Sequence, residues 1–186
     1  GKHGEAHTIR VEGGAVFGPE PAGFLSAGQS GTRVEIRDLF FATPARLKFL
    51  KSARSESLAV IEIVKRLAMA RPDVAFALTD DGRAALALAA EETLLDGRIG
   101  RLTRLMGRDF SGNALPAMAE REGVKLAGFA GLPTYNRANA QSQFLFVNGR
   151  PVKDRLLLGA LKGAYADYLA RGRHPAAALF IDCEPQ

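Results

Sequence analysis

The chain has 186 residues, of which 47% are hydrophobic, 24% charged and 8% aromatic, and this is the composition of an ordinary globular protein. It excludes a disordered or collagen-like chain, and no apolar stretch approaches the roughly 18 residues of a membrane span. The first ten residues lack the apolar run of a signal peptide. One cysteine, Cys183, and three histidines do not supply the ligands of a structural zinc site. We therefore expect a cytoplasmic protein without a disulfide or a structural metal.

The positive charge is concentrated in two blocks of the sequence. The net charge of +5 arises from residues 33–71, with a net +5, and residues 136–186, with a net +3, while the other segments are slightly acidic. Basic blocks of this kind indicate a polyanionic partner such as nucleic acid. The alternative is that Lys and Arg only solvate the outer faces of helices.

The first part of the chain is rich in glycine and proline. Alternation of apolar and polar residues at 8–12 and 34–40 predicts two strands, which we expect to pair antiparallel across a long loop. Proline at the first helical position predicts a short helical turn at 44–50. Residues 55–70 carry one apolar stripe and predict a helix that Pro72 stops.

After Pro72 the pattern changes to hairpins. Residues 74–78 and 84–88 flank the turn Asp80-Asp81-Gly82, and residues 143–147 run into Asn148-Gly149, the favoured type I′ dipeptide, and return through 150–152. The remaining predicted elements are helices at 95–106 and 153–169 and strands at 124–129 and 176–181. On the side opposite the apolar residues of the helix at 95–106, the sequence shows four arginines: Arg98, Arg101, Arg104 and, just beyond its end, Arg108. Helices and strands mix without regular alternation, so the predicted fold class is α+β, with a domain boundary at Arg71–Pro72.

No catalytic set is recognisable in the sequence. The Gly-x-Ser-x-Gly, His-Glu-x-x-His, Walker-A and Gly-x-Gly-x-x-Gly motifs are absent, and the three histidines do not assemble a triad. Glu91 and Glu92 are adjacent, so they point apart and are interpreted as solvated charges. Cys183 lies between two acidic residues and lacks the electropositive surroundings that activate a thiol. We therefore predict neither a catalytic residue nor a metal ligand in this chain.

Three patches are candidates for binding phosphate groups. Arg46, Lys48 and Lys51 protrude beside a phenylalanine-rich corner, whose simpler interpretation is a packed strand-to-helix junction. Gly31 and Thr32 offer backbone N–H groups and a hydroxyl to phosphate oxygens, although such a sequence is usually only a turn. The third patch is formed by Arg150, Lys153 and Arg155, at a hairpin tip and the first helical turn.

Two long motifs resemble those of a known family. Residues 31–50 read Gly-Thr-x-Val-x-Ile-x-Asp-Leu-Phe-Phe-Ala-Thr-Pro-Ala-Arg-x-Lys-Phe-Leu and resemble the signature of the MutL family of DNA mismatch repair proteins. Phe146-Val-Asn-Gly-Arg150, followed by Lys153-Asp-Arg155, resembles a second segment of that family. The similarity extends over the whole chain.

The resemblance implies a GHKL-type ATPase. Residues 1–71 would be the C-terminal part of its ATP-binding α/β sandwich, and residues 72–186 a transducer domain with a ribosomal-protein-like fold. For the full-length protein it implies ATP and Mg²⁺ as cofactors, with Gly31 and Thr32 at the nucleotide. The implied partners are DNA, a MutS-type mismatch recognition protein and a second copy of the chain, in the bacterial cytoplasm near the nucleoid. The cation matching Arg155 would lie in the groove thought to hold DNA.

The chain also departs from the family pattern. The Glu-x-x-x-Asn helix that supplies the general base and the Mg²⁺ ligand is absent, and Asp80-Asp81-Gly82-Arg83-Ala84 fits a hairpin turn better than an adenine-binding motif. The chain stops before the family's lysine motif, so we expect a non-catalytic piece of an ATP-driven repair clamp. Alternatives are a stand-alone RNA- or DNA-binding module with a ribosomal-protein-like fold, and an enzyme whose catalytic set is not recognised. A nuclease elsewhere in the full chain stays open.

Overall fold

The computed structural model describes residues 6–23, 31–91 and 94–184. The chain forms two compact units, Gly1–Ser52 and Ala53–Gln186, and each is described by itself. In the described residues, no helix has the length and hydrophobicity that a membrane span requires.

The first unit is built on a β-hairpin of β1 (Ala6–Glu12) and β2 (Ala15–Ala22). Gly13 and Gly14 form its turn with φ of 57° and 89°, values that glycine adopts without strain. The predicted pairing of residues 8–12 with 34–40 is therefore wrong. Residues 31–37 form no regular secondary structure and pair with none of the described strands, and a 3-10 helix follows at Pro44–Phe49, close to the predicted turn.

The second unit combines a five-stranded sheet with helices and two small two-stranded sheets, the hairpin β3–β4 and the distant pair β7–β10. Its elements are α1 (Ala53–Ala70), β3 (Phe76–Asp80), β4 (Arg83–Leu88), α2 (Leu94–Met106), α3 (Arg108–Gly112), β5 (Ala114–Arg121), β6 (Val124–Gly131), β7 (Asn136–Arg137), β8 (Gln143–Val147), β9 (Arg150–Val152), α4 (Arg155–Ala164), β10 (His174–Pro175) and β11 (Ala177–Asp182). The sheet has the order β5-β6-β11-β8-β9, with β11 antiparallel to β6 and parallel to β8. The α+β class is confirmed.

Helix α1 belongs by its contacts to the second unit. It packs against α2, β3 and β9, and it buries Ala68 and Met69. The boundary between the two compact units accordingly lies at Ser52, before α1. The boundary predicted at Arg71–Pro72, where the sequence pattern changes from helix to hairpins, lies after α1. The assignment of residues 1–71 to the family's ATPase domain stays a prediction.

The hydrophobic core lies on one face of the large sheet. Its members come from α1, α2 and α3 on one side and from β8, β11 and the residue before β11 on the other: Met69, Leu102, Phe110, Phe144, Phe146, Ala176, Ala178 and Phe180. Phe146 and Phe180 are opposite each other in the parallel pair β8–β11, and their rings stack with centroids 4.6 Å apart. Leu145 points to the other face and is 2% exposed, so β8 is buried on both sides.

Helix α4 is shorter than the predicted helix at 153–169. It begins after Asp154, whose Oδ1 accepts a hydrogen bond from Leu157 N at 2.9 Å and so caps the helix. It loosens at its end into successive i→i−3 bonds, from Tyr165 N to Lys162 O and from Ala166 N to Gly163 O. Gly159 and Gly163 both lie within it, and glycine weakens a helix interior.

Candidate nucleic-acid interface

The hairpin of β8 and β9 presents the first cation of the candidate interface. Asn148 and Gly149 have φ of 47° and 73°, which is the predicted type I′ turn. Val147 and Arg150 are the last paired residues before the turn, so Arg150 lies at the tip and is exposed. The tip is anchored to β11, because Asn148 N donates to Ile181 O at 2.9 Å.

The other two cations of the patch, Lys153 and Arg155, follow closely after Arg150 in the sequence. Lys153 lies between β9 and α4, Arg155 is the first residue of α4, and both side chains are exposed. Neither they nor Arg150 forms an ion pair with any residue in the described ranges. The acidic residue between them, Asp154, is used in capping the helix. The structure therefore brings three unneutralised cations together on one continuous segment.

The same segment adjoins a cavity and an outer helix face. A cavity of about 230 Å³ is lined by Ile63 and Arg66 of α1 and by Pro151, Val152 and Lys153. On α4, Lys162 is exposed and lies seven residues after Arg155, so the two are on one helix face. Lys162 therefore extends the positive surface along α4, whereas Arg66 is paired with Glu62 and only 12% exposed.

The second predicted patch lies in the first unit. Arg46 and Lys48 are exposed on the 3-10 helix, and Lys51 is exposed just beyond it. Phe41 and Phe49 are 78% and 81% exposed within this unit, so they do not pack as the core of the corner there. This patch belongs to a different compact unit from Arg150, and its contact with DNA stays a prediction.

The nucleotide candidates lie at the start of segment 31–37, which forms no helix or strand. Gly31 and Thr32 are exposed, and no backbone hydrogen bond joins this segment to other described residues. Their N–H groups are therefore compatible with phosphate oxygens. The two residues do not make a nucleotide site by themselves, and no three His, Cys, Asp or Glu side chains cluster as metal ligands in the described part of the chain. Their role at a nucleotide stays a prediction.

Two of the arginines that the sequence placed opposite the apolar residues of the predicted helix at 95–106 are structural. Arg101 is fully buried, and its Nη2 donates to the carbonyl oxygens of Pro72, Val74 and Ala89 at 2.8–2.9 Å. Arg98 lies over the Phe180 ring at 4.3 Å. Burial lowers the pKa of the Arg101 guanidinium, an effect that the Glu91 carboxylate opposes. The apolar pattern of α2 alone does not reveal the burial of Arg101, because the carbonyls that accept its hydrogen bonds are distant in sequence.

Glu91 also differs from its interpretation as a solvated charge. Its side chain is 17% exposed, and its Oε1 lies 3.3 Å from Arg104 Nη1. Its backbone N donates to Pro72 O at 2.9 Å. Glu91 is therefore part of the polar cluster around Arg101, and Glu92 lies outside the described residues.

Comparison with known proteins identifies the relatives of this chain. The family model described as DNA mismatch repair protein, C-terminal domain, matches residues 102–186. The DNA mismatch repair protein MutL of Phenylobacterium zucineum is 62% identical over 185 residues, and that of Caulobacter vibrioides is 57% identical over 180 residues. These alignments cover 100% and 97% of this chain, which spans 29% and 28% of the relatives' length.

The fold is also found in a solved relative. The Aquifex aeolicus MutL ATPase domain complexed with ADP superposes with a TM-score of 0.66 and 27% identity. The match covers 98% of this chain and 63% of that one. With the tip sequence Asn148-Gly149-Arg150 and the corner at 31–50 both in place, the chain belongs to the MutL family of DNA mismatch repair proteins.

Proposed function

We propose that this chain acts in DNA mismatch repair as a non-catalytic part of an ATP-dependent MutL-type clamp, in which it binds the DNA backbone and relays the nucleotide state. The observation that carries the proposal is the exposed, unneutralised set of Arg150, Lys153 and Arg155 on a rigid hairpin and helix start. Family membership supports the process, while the activity of the whole protein is a proposal because the chain spans 29% of its relatives' length. A MutS-type protein and a second copy are proposed as partners on the resemblance.

Phosphate groups, and not base edges, are the proposed targets of the tip. Arginine and lysine neutralise phosphates, and contacts of this kind position a protein on DNA without reading its sequence. Base readout by an amide would need a free Asn or Gln, but the Asn148 amide is used in hydrogen bonds to Cys183. Such binding to the DNA backbone suits a repair factor, which has to act at any DNA sequence.

For the nucleotide, the proposal concerns only the backbone of Gly31 and Thr32. The Aquifex aeolicus relative was solved with ADP, and this supports nucleotide binding in the longer protein. When bound, the nucleotide would supply the phosphate charge, and Mg²⁺ would neutralise part of it. Within this chain the segment 31–37 can donate N–H groups to phosphate, and no acid or base for hydrolysis is proposed.

The RNA-binding alternative is less well supported. Single-stranded RNA is usually bound by exposed aromatic rings on a sheet. Phe144 and Phe146 of β8 are 7% and 0% exposed and pack in the core. The aromatic residues of the central sheet are therefore unavailable for stacking on bases.

The proposal is tested by titrating the chain against duplex DNA of several sequences at several salt concentrations. We expect weak, sequence-independent binding whose log-log salt slope is about 0.9 per neutralised phosphate. Arg155→Glu should weaken binding evenly across sequences and reduce the slope by about one or more. Arg121→Glu is the matched control, because Arg121 lies at the tip of the β5–β6 hairpin on the opposite sheet edge and is 87% exposed. Equal effects of the two variants, or none for Arg155→Glu, would refute the assignment.

A further inference from the structure

Three hairpins of the second unit use the same two-residue turn. The φ pairs are 46° and 75° at Asp81-Gly82, 51° and 78° at Glu122-Gly123, and 47° and 73° at Asn148-Gly149. Aspartate, glutamate and asparagine therefore all occupy the first turn position in this protein. The turn conformation alone does not explain why asparagine lies at the tip of β8–β9.

Asn148 differs from the other two residues in what its side chain contacts. Its Nδ2 donates to Cys183 O at 3.0 Å, and its Oδ1 accepts from Cys183 N at 3.0 Å. The amide thus pairs with both backbone groups of one residue, as a neighbouring strand would. By contrast, the Glu122 carboxylate contacts only the adjacent Arg121, and the Asp81 side chain makes no hydrogen bond within the described residues.

This hydrogen-bond pair extends the attachment of the tip beyond the regular ladder. The last paired residues of β8 and β11 are Val147 and Ile181, and Cys183 lies two positions further on. On the other side, β9 has three residues, is the edge strand and pairs only with β8. The Asn148 side chain therefore adds a second connection, beside the bond from Asn148 N to Ile181 O, that holds the outer end of this hairpin against the centre of the sheet.

We propose that Asn148 is a positioning residue for DNA binding, which fixes the hairpin tip so that Arg150, Lys153 and Arg155 are pre-arranged for successive phosphates. This inference rests on the proposed DNA contact. Freezing a mobile segment on binding lowers affinity, whereas a segment held in place beforehand avoids that loss. Asn148 itself contributes no charge, so its removal should lower affinity without removing a phosphate contact.

The test compares Asn148→Gly with wild type. Glycine adopts the same positive φ and leaves the charge unchanged, so the variant retains the turn and loses only the amide. We expect faster hydrogen exchange of the Cys183 amide and roughly three- to tenfold weaker DNA binding, from the ordering of a few residues. The salt slope should be unchanged, in contrast to Arg155→Glu. If Asn148 only stabilised the fold, the variant would be less stable, but the folded variant would bind DNA with unchanged affinity.

Asn139→Gly is the matched control for this experiment. It makes the same substitution at an exposed loop position where the side chain accepts one local hydrogen bond, from Gln141 N at 3.1 Å. Urea unfolding of each variant fixes the conditions under which all are folded. Affinity equal to that of Asn139→Gly would overturn the positioning role, and so would a reduced salt slope. If wild type and Arg155→Glu bind DNA alike, the proposed function fails, while the Cys183 exchange rate separately decides whether the hydrogen-bond pair exists.

Discussion

Replacing Arg101 with methionine is expected to destabilise the second unit by about 3 kcal/mol. The guanidinium is the shared donor for three backbone carbonyls, of Pro72, Val74 and Ala89, which join the end of α1 to the β3–β4 hairpin and α2. Methionine fills a similar volume and donates no hydrogen bond. The carbonyls would then be left without this partner in the interior.

The magnitude follows from burial. A buried group deprived of its partner costs about 1–3 kcal/mol; Pro72 O keeps its bond from Glu91 N and the other two carbonyls are partly buried, so each loss lies towards the low end and the sum is about 4 kcal/mol. Part of this loss, about 1–2 kcal/mol, is offset because the variant no longer buries a charge. In the wild type, Nε and Nη1 of Arg101 have no hydrogen-bond partner among the described residues. Arginine stays protonated over the accessible pH range, so the loss should not depend on pH.

Tyrosine fluorescence during urea unfolding measures this loss selectively. The chain has no Trp, and its three tyrosines, Tyr135, Tyr165 and Tyr168, all lie in the second unit. A loss of about 3 kcal/mol should move the midpoint by about 1.5 M urea. Arg108→Met is the control, because Arg108 is exposed on α3 and should change stability by less than about 0.5 kcal/mol. An Arg101→Met midpoint equal to that of the control would refute the reasoning.

Four further outcomes are expected. Gly128→Ala should destabilise the second unit by more than about 3 kcal/mol in the same assay, because an added Cβ would collide with the Ala178 carbonyl oxygen and approach Leu179 Cα to 2.9 Å; a wild-type midpoint would contradict this. Tyr165→Phe should cost about 1 kcal/mol, since the hydroxyl donates to Gly131 O at 2.6 Å. Burial raises the pKa of Tyr165 above the usual 10.0. The stability that the protonated hydroxyl contributes is therefore complete below pH 10.0 and is lost as the pH rises further. The phenylalanine variant should show a flatter dependence of the free energy of unfolding on alkaline pH. Hydrogen exchange should be fast in residues 6–23 and 31–50, which are nearly all exposed, and slow in the core strands of the second unit, and uniform protection would argue against the division into two units. Finally, we expect no Mg-ATP turnover by this chain, which any activity in protein free of contaminating ATPases would disprove.

The sequence predicted the parts of the fold that are encoded by local signals. The hairpin at Asn148-Gly149, the turn at Asp81-Gly82 and helix α1 were all expected, because turn residues and apolar periodicity act over a few positions. The three cations of the tip were grouped for the same reason. Their common exposure on one segment follows directly from the turn and the helix cap.

The elements that were missed depend on sheet position and distant partners. β5 contains Pro116 and three alanines, which are weak strand formers, but β5 is at the sheet edge, where proline is tolerated. The hairpin β1–β2 was likewise hidden by its glycines and prolines. The burial of Arg101 required carbonyls from residues 72, 74 and 89, and no pattern within α2 contains that information.

The position of β11 sets the order in which the large sheet can be completed during synthesis. β11 is the last of the described strands in the chain, yet it lies between β6 and β8 and forms the ladder between two earlier hairpins. Until residues 177–182 have left the ribosome, β6 and β8 have no partner on their inner edges, and unpaired edges invite association with other chains. The stacking of Phe180 on Phe146 and the hydrogen bonds between Asn148 and Cys183 also form only after β11 has been synthesised. The proposed DNA-binding tip is therefore translated before β11 and acquires its fixed position only when that strand is in place.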